Sequence, residues 1–351
     1  MPRIPMCHTP MPRIPMLHTP MLHTHGLLAL LLCLFLCSLA ACAGNTPAFR
    51  AAADAELARQ PRAYANGTAR AWQISRGGVP RGLLWGTLHI PYGPDTQLPA
   101  AIRARFYAAA DLTVESLIDQ APATMRALAG ASRRANLAAD PTQAPRLDPA
   151  TRAALAEVPG ADLRTYSLRG AAAVAAIAAA RPYDPGALPA DGFVDLNLIA
   201  FARAQDRPVH GLEPPAIQDG TLDEPNGPEA AALLRRLVRQ HDAKPEFDRW
   251  VSATYATGDV ATAAAGLAAW DTDAEDMRMH DRNRAALYTA RNAAWLPQLD
   301  ARLQELGDHF IAVGAGHLLG PDGLVALLRT RGYQVDPCPY DACPHSPRST
   351  P

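Results

Sequence analysis

The sequence predicts an α/β fold: a central mixed β-sheet surrounded by many helices, with a helical insertion. Three observations predict it. Two short apolar runs, Gly82-Leu-Leu-Trp-Gly-Thr-Leu-His89 and Phe310-Ile-Ala-Val-Gly-Ala-Gly-His317, have the length and glycine boundaries of buried strands. Around the first run, a hairpin, a helix and a further strand follow in turn. Between the two runs lie Ala-rich segments at helical spacing, broken by prolines.

Ala71-Trp-Gln-Ile-Ser75 alternates like a strand, Arg76-Gly77-Gly78 makes a turn, and Arg81 to Thr87 returns as the second strand. Pro99 suits a first helical turn, and Ile102, Phe106 and Ala109 give that helix its apolar face. Asp111-Leu-Thr-Val-Glu-Ser116 is β-prone, with Leu112 and Val114 on one face and Glu115 at its far end. This places His89 and Glu115 at neighbouring strand ends. Residues 120–190 read as Ala-rich helices, and 192–203 as another. Pro208 to Glu213 reads as a short strand ending in a carboxylate. Helices are expected over 226–241, 245–256, 259–269 and 292–306, with a longer one from Asp273 that carries Arg282 and Asn283. His309 to Val313 is the last core strand. A glycine-rich connection leads to a helix from Pro321, stopped by Gly332, and Tyr333 to Asp336 is a final strand.

The N-terminus reads as a targeting segment. MPRIPMCHTP is nearly copied as MPRIPMLHTP and partly copied again, so Met11 or Met21 is a candidate for the true start. Leu27 to Leu36 is short for a membrane span but suits the apolar region of a signal peptide. It runs into Leu39-Ala-Ala-Cys42, which resembles a bacterial lipobox; an ordinary secretory signal or an uncleaved anchor helix is the alternative. Acylation at Cys42 would hold the protein on a membrane without spanning it, and Ala43 in place of aspartate favours the outer membrane, facing the periplasm. The expected organisation is a signal over 1–41, a tether over 42–68, a domain over 69–337 and a Pro-rich tail over 338–351. With Cys7, Cys33 and Cys37 removed and Cys42 acylated, Cys338 and Cys343 remain; an even remainder in an exported chain suggests a disulfide. A reduced pair or a metal clip is the other reading.

Composition narrows the partners. The net charge of -1 argues against nucleic acid, which requires a basic face. Lys244 is the single lysine, so positive charge is nearly all arginine.

The two Gly-x-x-His motifs carry the chemistry. A chain of 351 residues with 24 Gly and 11 His holds roughly one by chance, so two at strand ends are informative. Ligands gather at strand ends in open α/β sheets. If these ends meet with Glu115, two imidazoles and a carboxylate would bind a divalent ion (Zn, Mn or Co) and leave a position for water. Gly86, Gly314 and Gly316 would let a metal or substrate come close to the backbone. Alternatively, His89 is a core histidine bonded to backbone and His317 caps a helix start.

These residues resemble a known family. Leu-Leu-Trp-Gly-Thr-Leu-His89, then Leu98-Pro99 with its helix, then Ala110-Asp-Leu-Thr-Val-Glu115 are similar to the opening of the TraB/GumN family, related to the Tiki metalloproteases. Val313-Gly-Ala-Gly-His317-Leu-Leu-Gly-Pro-Asp-Gly with Arg331-Gly-Tyr333 resembles its closing block, and Gly211-Leu-Glu213 and Asp281-Arg-Asn283 its middle blocks. The resemblance covers roughly residues 70–337. It implies an α/β fold of paired strand-strand-helix units, related to erythromycin-esterase-like and haem-binding ChaN-like proteins. It also implies a metal-dependent peptidase site at His89, Glu115 and His317. Arg282 would clamp a carboxylate or oxyanion, with Asn283 beside it; a solvated or core-bridging pair is the plain alternative. Glu213 would be a second base or ligand, or a hydrogen-bonded strand-end carboxylate. The expectation is an outer-membrane lipoprotein hydrolysing a peptide or small-molecule substrate. A non-catalytic binding protein is the alternative, and haem or metal capture a third reading by fold analogy alone.

Overall fold

In a computed structural model the described residues are 46–88, 98–117, 147–179, 194–214, 227–239, 243–270 and 284–338. All belong to one unit, Asn45–Pro351. The signal segment, Cys42, His89, Arg282, Asn283 and Cys343 lie outside them.

In chain order the elements are α1 (Thr46–Arg59), β1 (Ala71–Arg76), β2 (Val79–Thr87), α2 (Ala100–Ala108) and β3 (Asp111–Ser116). There follow α3 (Pro149–Ala156), α4 (Leu168–Ala179), α5 (Val194–Ala204), β4 (Val209–Glu213), α6 (Pro228–Arg239), α7 (Lys244–Ala256) and α8 (Val260–Ala269). The chain closes with a π-helical turn (Ala285–Thr289), α9 (Ala290–Gln304), β5 (His309–Gly314), a 3₁₀ turn (Ala315–Leu318), α10 (Leu324–Thr330) and β6 (Gln334–Pro337). The expected helix over 292–306 thus begins earlier. The one expected from Pro321 begins three residues later, because Gly320 takes φ +78° and Gly323 is still extended.

One six-stranded sheet runs in the order β4-β3-β5-β2-β1-β6. It is mixed. The hairpin β1-β2 is antiparallel and turns on Gly77 and Gly78, whose φ values of +59° and +76° suit the tight turn that matches strand twist. β6 pairs antiparallel with β1, while β2, β5, β3 and β4 are mutually parallel. The last long strand therefore enters between β2 and β3. β2 and β3, whose ends the sequence order placed side by side, are not adjacent; β5 separates them. The reason lies in β5 itself, where Phe310, Ile311, Ala312 and Val313 are all 0% exposed. A strand apolar on both faces belongs in the middle of a sheet.

Alternation along the strands divides the core. Leu83, Trp85, Leu112, Val114, Phe310 and Ala312 face the side that packs α2, α5, α7 and α8. Trp72, Ile74, Leu84, Ile311 and Val313 face α9 and α10. A separate helical cluster joins α3, α4 and α6 through Leu155, Leu168, Ala172, Leu234 and Leu237. The stretch assigned above to a tether is packed into the fold where it is described. Phe49 of α1 meets the rings of Phe247, Trp250 and Trp270 at centroid distances of 5.3, 5.9 and 5.6 Å. Ala53 is fully buried. Cys338 is buried and disulfide-bonded, just after its N–H donates to Ala71 O. No helix among the described residues is long and apolar enough to cross a membrane.

The N-terminal edge of the parallel strands carries a polar cluster. Nδ1 of buried His309 lies 3.0 Å from both carboxylate oxygens of Asp111, and His210 Nε2 is 3.7 Å from Asp111. Arg302 reaches His210 Nδ1, Asp111 and Glu305. Burial pulls the His309 imidazolium down, but the hydrogen bond and charge of Asp111 outweigh it, so its pKa is raised. His210 moves the other way, lowered by burial and by Arg302. A raised histidine contributes stability below its unfolded value, near 6.5, that is lost as pH climbs through the folded value. A lowered one contributes stability above 6.5 that is lost as pH falls through the folded value. The contribution of this cluster should peak near pH 6.5. Melting curves from pH 5 to 9 test this; Asp111→Asn is expected to remove the alkaline limb, and an unchanged limb would reject the assignment.

Candidate functional site

Four parallel strands end at one edge of the sheet, with Thr87 beside Gly314 and Ser116 beside Glu213. In open sheets this is the edge where ligands bind. Helix α9 crosses it and presents Arg291, Asn292 and Trp295, which at i, i+1 and i+4 share a face.

Arg291 is the hub of the site. Its Nη2 donates to Glu115 Oε2 at 2.6 Å and to Glu213 Oε1 at 2.6 Å. Nε reaches both Glu213 oxygens at 3.1 and 3.0 Å. Nη1 donates to Leu287 O at 3.0 Å and faces His317 Nε2 at 3.2 Å. All five N–H groups of the guanidinium are thereby engaged. Burial would lower the Arg291 pKa, but the two carboxylates more than offset it and raise it. Glu115 also accepts the Gly314 N–H at 2.6 Å, and Glu213 accepts Trp295 Nε1–H at 2.9 Å. The Arg291 guanidinium stacks 4.7 Å above the Trp295 ring.

The protonation of His317 follows from its neighbours. Asn292 Nδ2 donates to His317 O at 3.2 Å and to Asp322 O at 2.8 Å, so Oδ1 is the amide atom 2.7 Å from His317 Nδ1. Nδ1 therefore carries the proton. Nε2 turns its lone pair towards Arg291 and lies 3.6 Å from Glu115 Oε1. The ring is 2% exposed, between Trp295 (4.3 Å) and the edge of Tyr288 (5.0 Å).

The glycines make room for these groups. A Cβ on Gly314 would lie 3.0 Å from Glu115 Oε1, one on Gly316 would lie 2.5 Å from the Tyr288 ring, and one on Gly86 would lie 2.7 Å from Leu318 Cδ1. The space expected for a metal or substrate beside the backbone is taken by the protein's own side chains. A cleft of 290 Å³ opens above, bounded by Glu115, Arg291 and His317 on one side and α8 on the other.

The structure thus brings together Glu115, Glu213 and His317, three residues read from the sequence. Arg282 and Asn283 lie outside the described residues. Among the described residues the site contains another Arg-Asn dipeptide, Arg291-Asn292, nine positions on. It had a signal: Asn292 stands on the same stripe as Leu296, Leu299 and Leu303, and a polar residue on an apolar stripe needs a partner.

A divalent ion can be tested against this donor set. Two ligands each about 2.1 Å from one tetrahedral ion sit about 3.4 Å apart. The Nε2–Oε1 separation of 3.6 Å and the nitrogen-plus-carboxylate chemistry fit two such ligands once Nε2 no longer accepts from Arg291 Nη1. No group of three or more His, Cys, Asp or Glu side chains among the described residues is arranged to hold a metal. The third expected donor, His89, directly follows Leu88, which lines the cleft.

The comparisons add one decisive observation. The model of the TraB/PrgY/gumN family matches residues 71–337, well over half the chain. The chain belongs to this family. The match begins at β1 and ends at β6, so the family domain is the sheet with everything strung between its edges. No curated protein and no solved structure matches the chain. Helix α1 precedes the matched residues and packs on α7 and α8.

Proposed function

We propose that this family domain is a hydrolase acting on a peptide or ester carbonyl, with a divalent ion held by His317 Nε2, Glu115 and His89. The observation that carries the reading is the approach of an unprotonated imidazole nitrogen to a carboxylate oxygen, at the strand edge where α/β sheets bind ligands. When bound, such an ion supplies a nucleophilic water near neutral pH and polarises the carbonyl. The chain supplies the rest. Asn292 fixes the tautomer of His317, and a partner of this kind orients a ligand imidazole. Arg291 holds Glu115 and Glu213 in position, and Glu115 is placed to serve as a ligand or, in its place, as the base that accepts a proton from an attacking water.

A second reading, a binding protein without turnover, is favoured by Arg291 itself. Its guanidinium already fills the cation position between the two carboxylates. The purified full chain is expected to carry stoichiometric divalent metal by elemental analysis and to cleave members of a mixed peptide library. His317→Ala and His89→Ala should lose both. A metal-free protein whose melting temperature ignores added Zn, Mn and Co would favour the second reading. We further propose that the protein is exported and lipid-anchored through Cys42 at the outer membrane. Cys42→Ser should then leave the membrane fraction, and a variant that stays there unprocessed would refute the anchor.

A further inference from the structure

Two arginines border the cleft, and they differ in what they have left to bind. Arg291 is saturated, as described. Arg284 hydrogen-bonds Ala63 O and lies with its guanidinium carbon 5.4 Å from the centre of the Tyr64 ring. Among the described residues it forms no ion pair. Arg284 also lines a neighbouring pocket of 260 Å³, so it stands at the wall between two spaces. One turn along, Tyr288 borders the same two spaces, and its hydroxyl has no hydrogen-bond partner among the described residues. The phenolic O–H of Tyr288 is a hydrogen-bond donor at the edge of this cleft. A guanidinium with donors to spare and a phenolic O–H on one helical face form a receptor for a planar anion.

The opposite wall is apolar. Val260, Ala263, Ala264 and Leu267 of α8 line the cleft at i, i+3, i+4 and i+7, a single helical stripe. Leu267, at its outer end, is 39% exposed, one of four large hydrophobic residues so exposed among the described residues. A volume of 290 Å³ is at the lower end for ligand pockets and suits a short aliphatic group.

We propose that the cleft binds a small apolar carboxylate, its anionic end on Arg284 and Tyr288 and its aliphatic part along the α8 stripe. The C-terminal residue of a peptide has this chemistry, and so does a free fatty acid. The proposal concerns the cleft of the hydrolase reading but requires neither metal nor turnover. It deepens that reading by giving the substrate a charged end close to the carbonyl under attack.

The test is calorimetry on the full chain with two acids and their neutral twins: N-acetyl-leucine against N-acetyl-leucine amide, and octanoate against octanol. At least one acid is expected to bind saturably and at least tenfold more tightly than its twin; the tighter acid tells the peptide terminus from the fatty acid. Arg284→Gln should erase the difference and Arg284→Lys keep part of it. Ala264→Phe, which fills the apolar stripe from a partly exposed position, should weaken binding of the acid. Equal affinity for acid and twin, or no saturable binding of either acid, would overturn the proposal; the wild-type comparison decides this even if a variant fails to fold. Metal content and peptidase activity, measured separately, report on the hydrolase reading whatever the calorimetry gives.

Discussion

Arg291→Met is expected to destabilise the domain by about 3–5 kcal/mol, because it leaves two buried carboxylates facing each other without their cation. The side chains of Glu115 and Glu213 are only 10% and 4% exposed, so water cannot replace the guanidinium. Arg291→Lys should fall between, since an ammonium restores the charge but not the fork that reaches both carboxylates, Leu287 O and His317. Adding Glu115→Gln and Glu213→Gln to Arg291→Met should recover part of the loss by removing the stranded charges. Urea midpoints at constant slope measure all four proteins. A single Met variant as stable as the parent would mean that the carboxylates are not held as described.

The second large effect is expected at Asn292, which is 1% exposed. Asn292→Leu strands three polar groups: His317 O, Asp322 O and the His317 Nδ1–H. Each buried group left without a partner costs about 1–3 kcal/mol. The substitution also releases the tautomer. Nitrogen-15 spectra of the His317 ring should show the proton on Nδ1 in the parent and a mixture in the variant. On the metal reading, ion affinity should fall about 10–100-fold as well. A variant with normal stability and an unchanged ring spectrum would remove Asn292 from the site.

The sequence carried the pieces of this site more clearly than their arrangement. Apolar runs bounded by glycine located β2 and β5, because burial on both faces leaves a continuous hydrophobic signature. Glu115 and Glu213 were readable as carboxylates at strand ends, and His317 as a histidine past one. The insertion of β5 between β2 and β3 was not readable, since pairing over some two hundred positions leaves no local mark. Arg291 was missed for a different reason. Assigning it to the site means knowing which turn of α9 faces the sheet. The π-helical turn at Ala285–Thr289 breaks the 3.6-residue period by which faces are read. Such turns recur at functional sites, and this one carries Tyr288 to Gly316.

The central position of the last long strand has a consequence for biogenesis. A nascent chain that has made everything up to α9 still has a gap between its hairpin and its β3-β4 pair, and only residues 309–314 bridge it. Closure must wait for contacts of very long sequence separation, which fold slowly. The same segment brings Gly314 and leads directly into the turn that carries His317, so a truncated polypeptide has no assembled centre. Competence arrives together with completion.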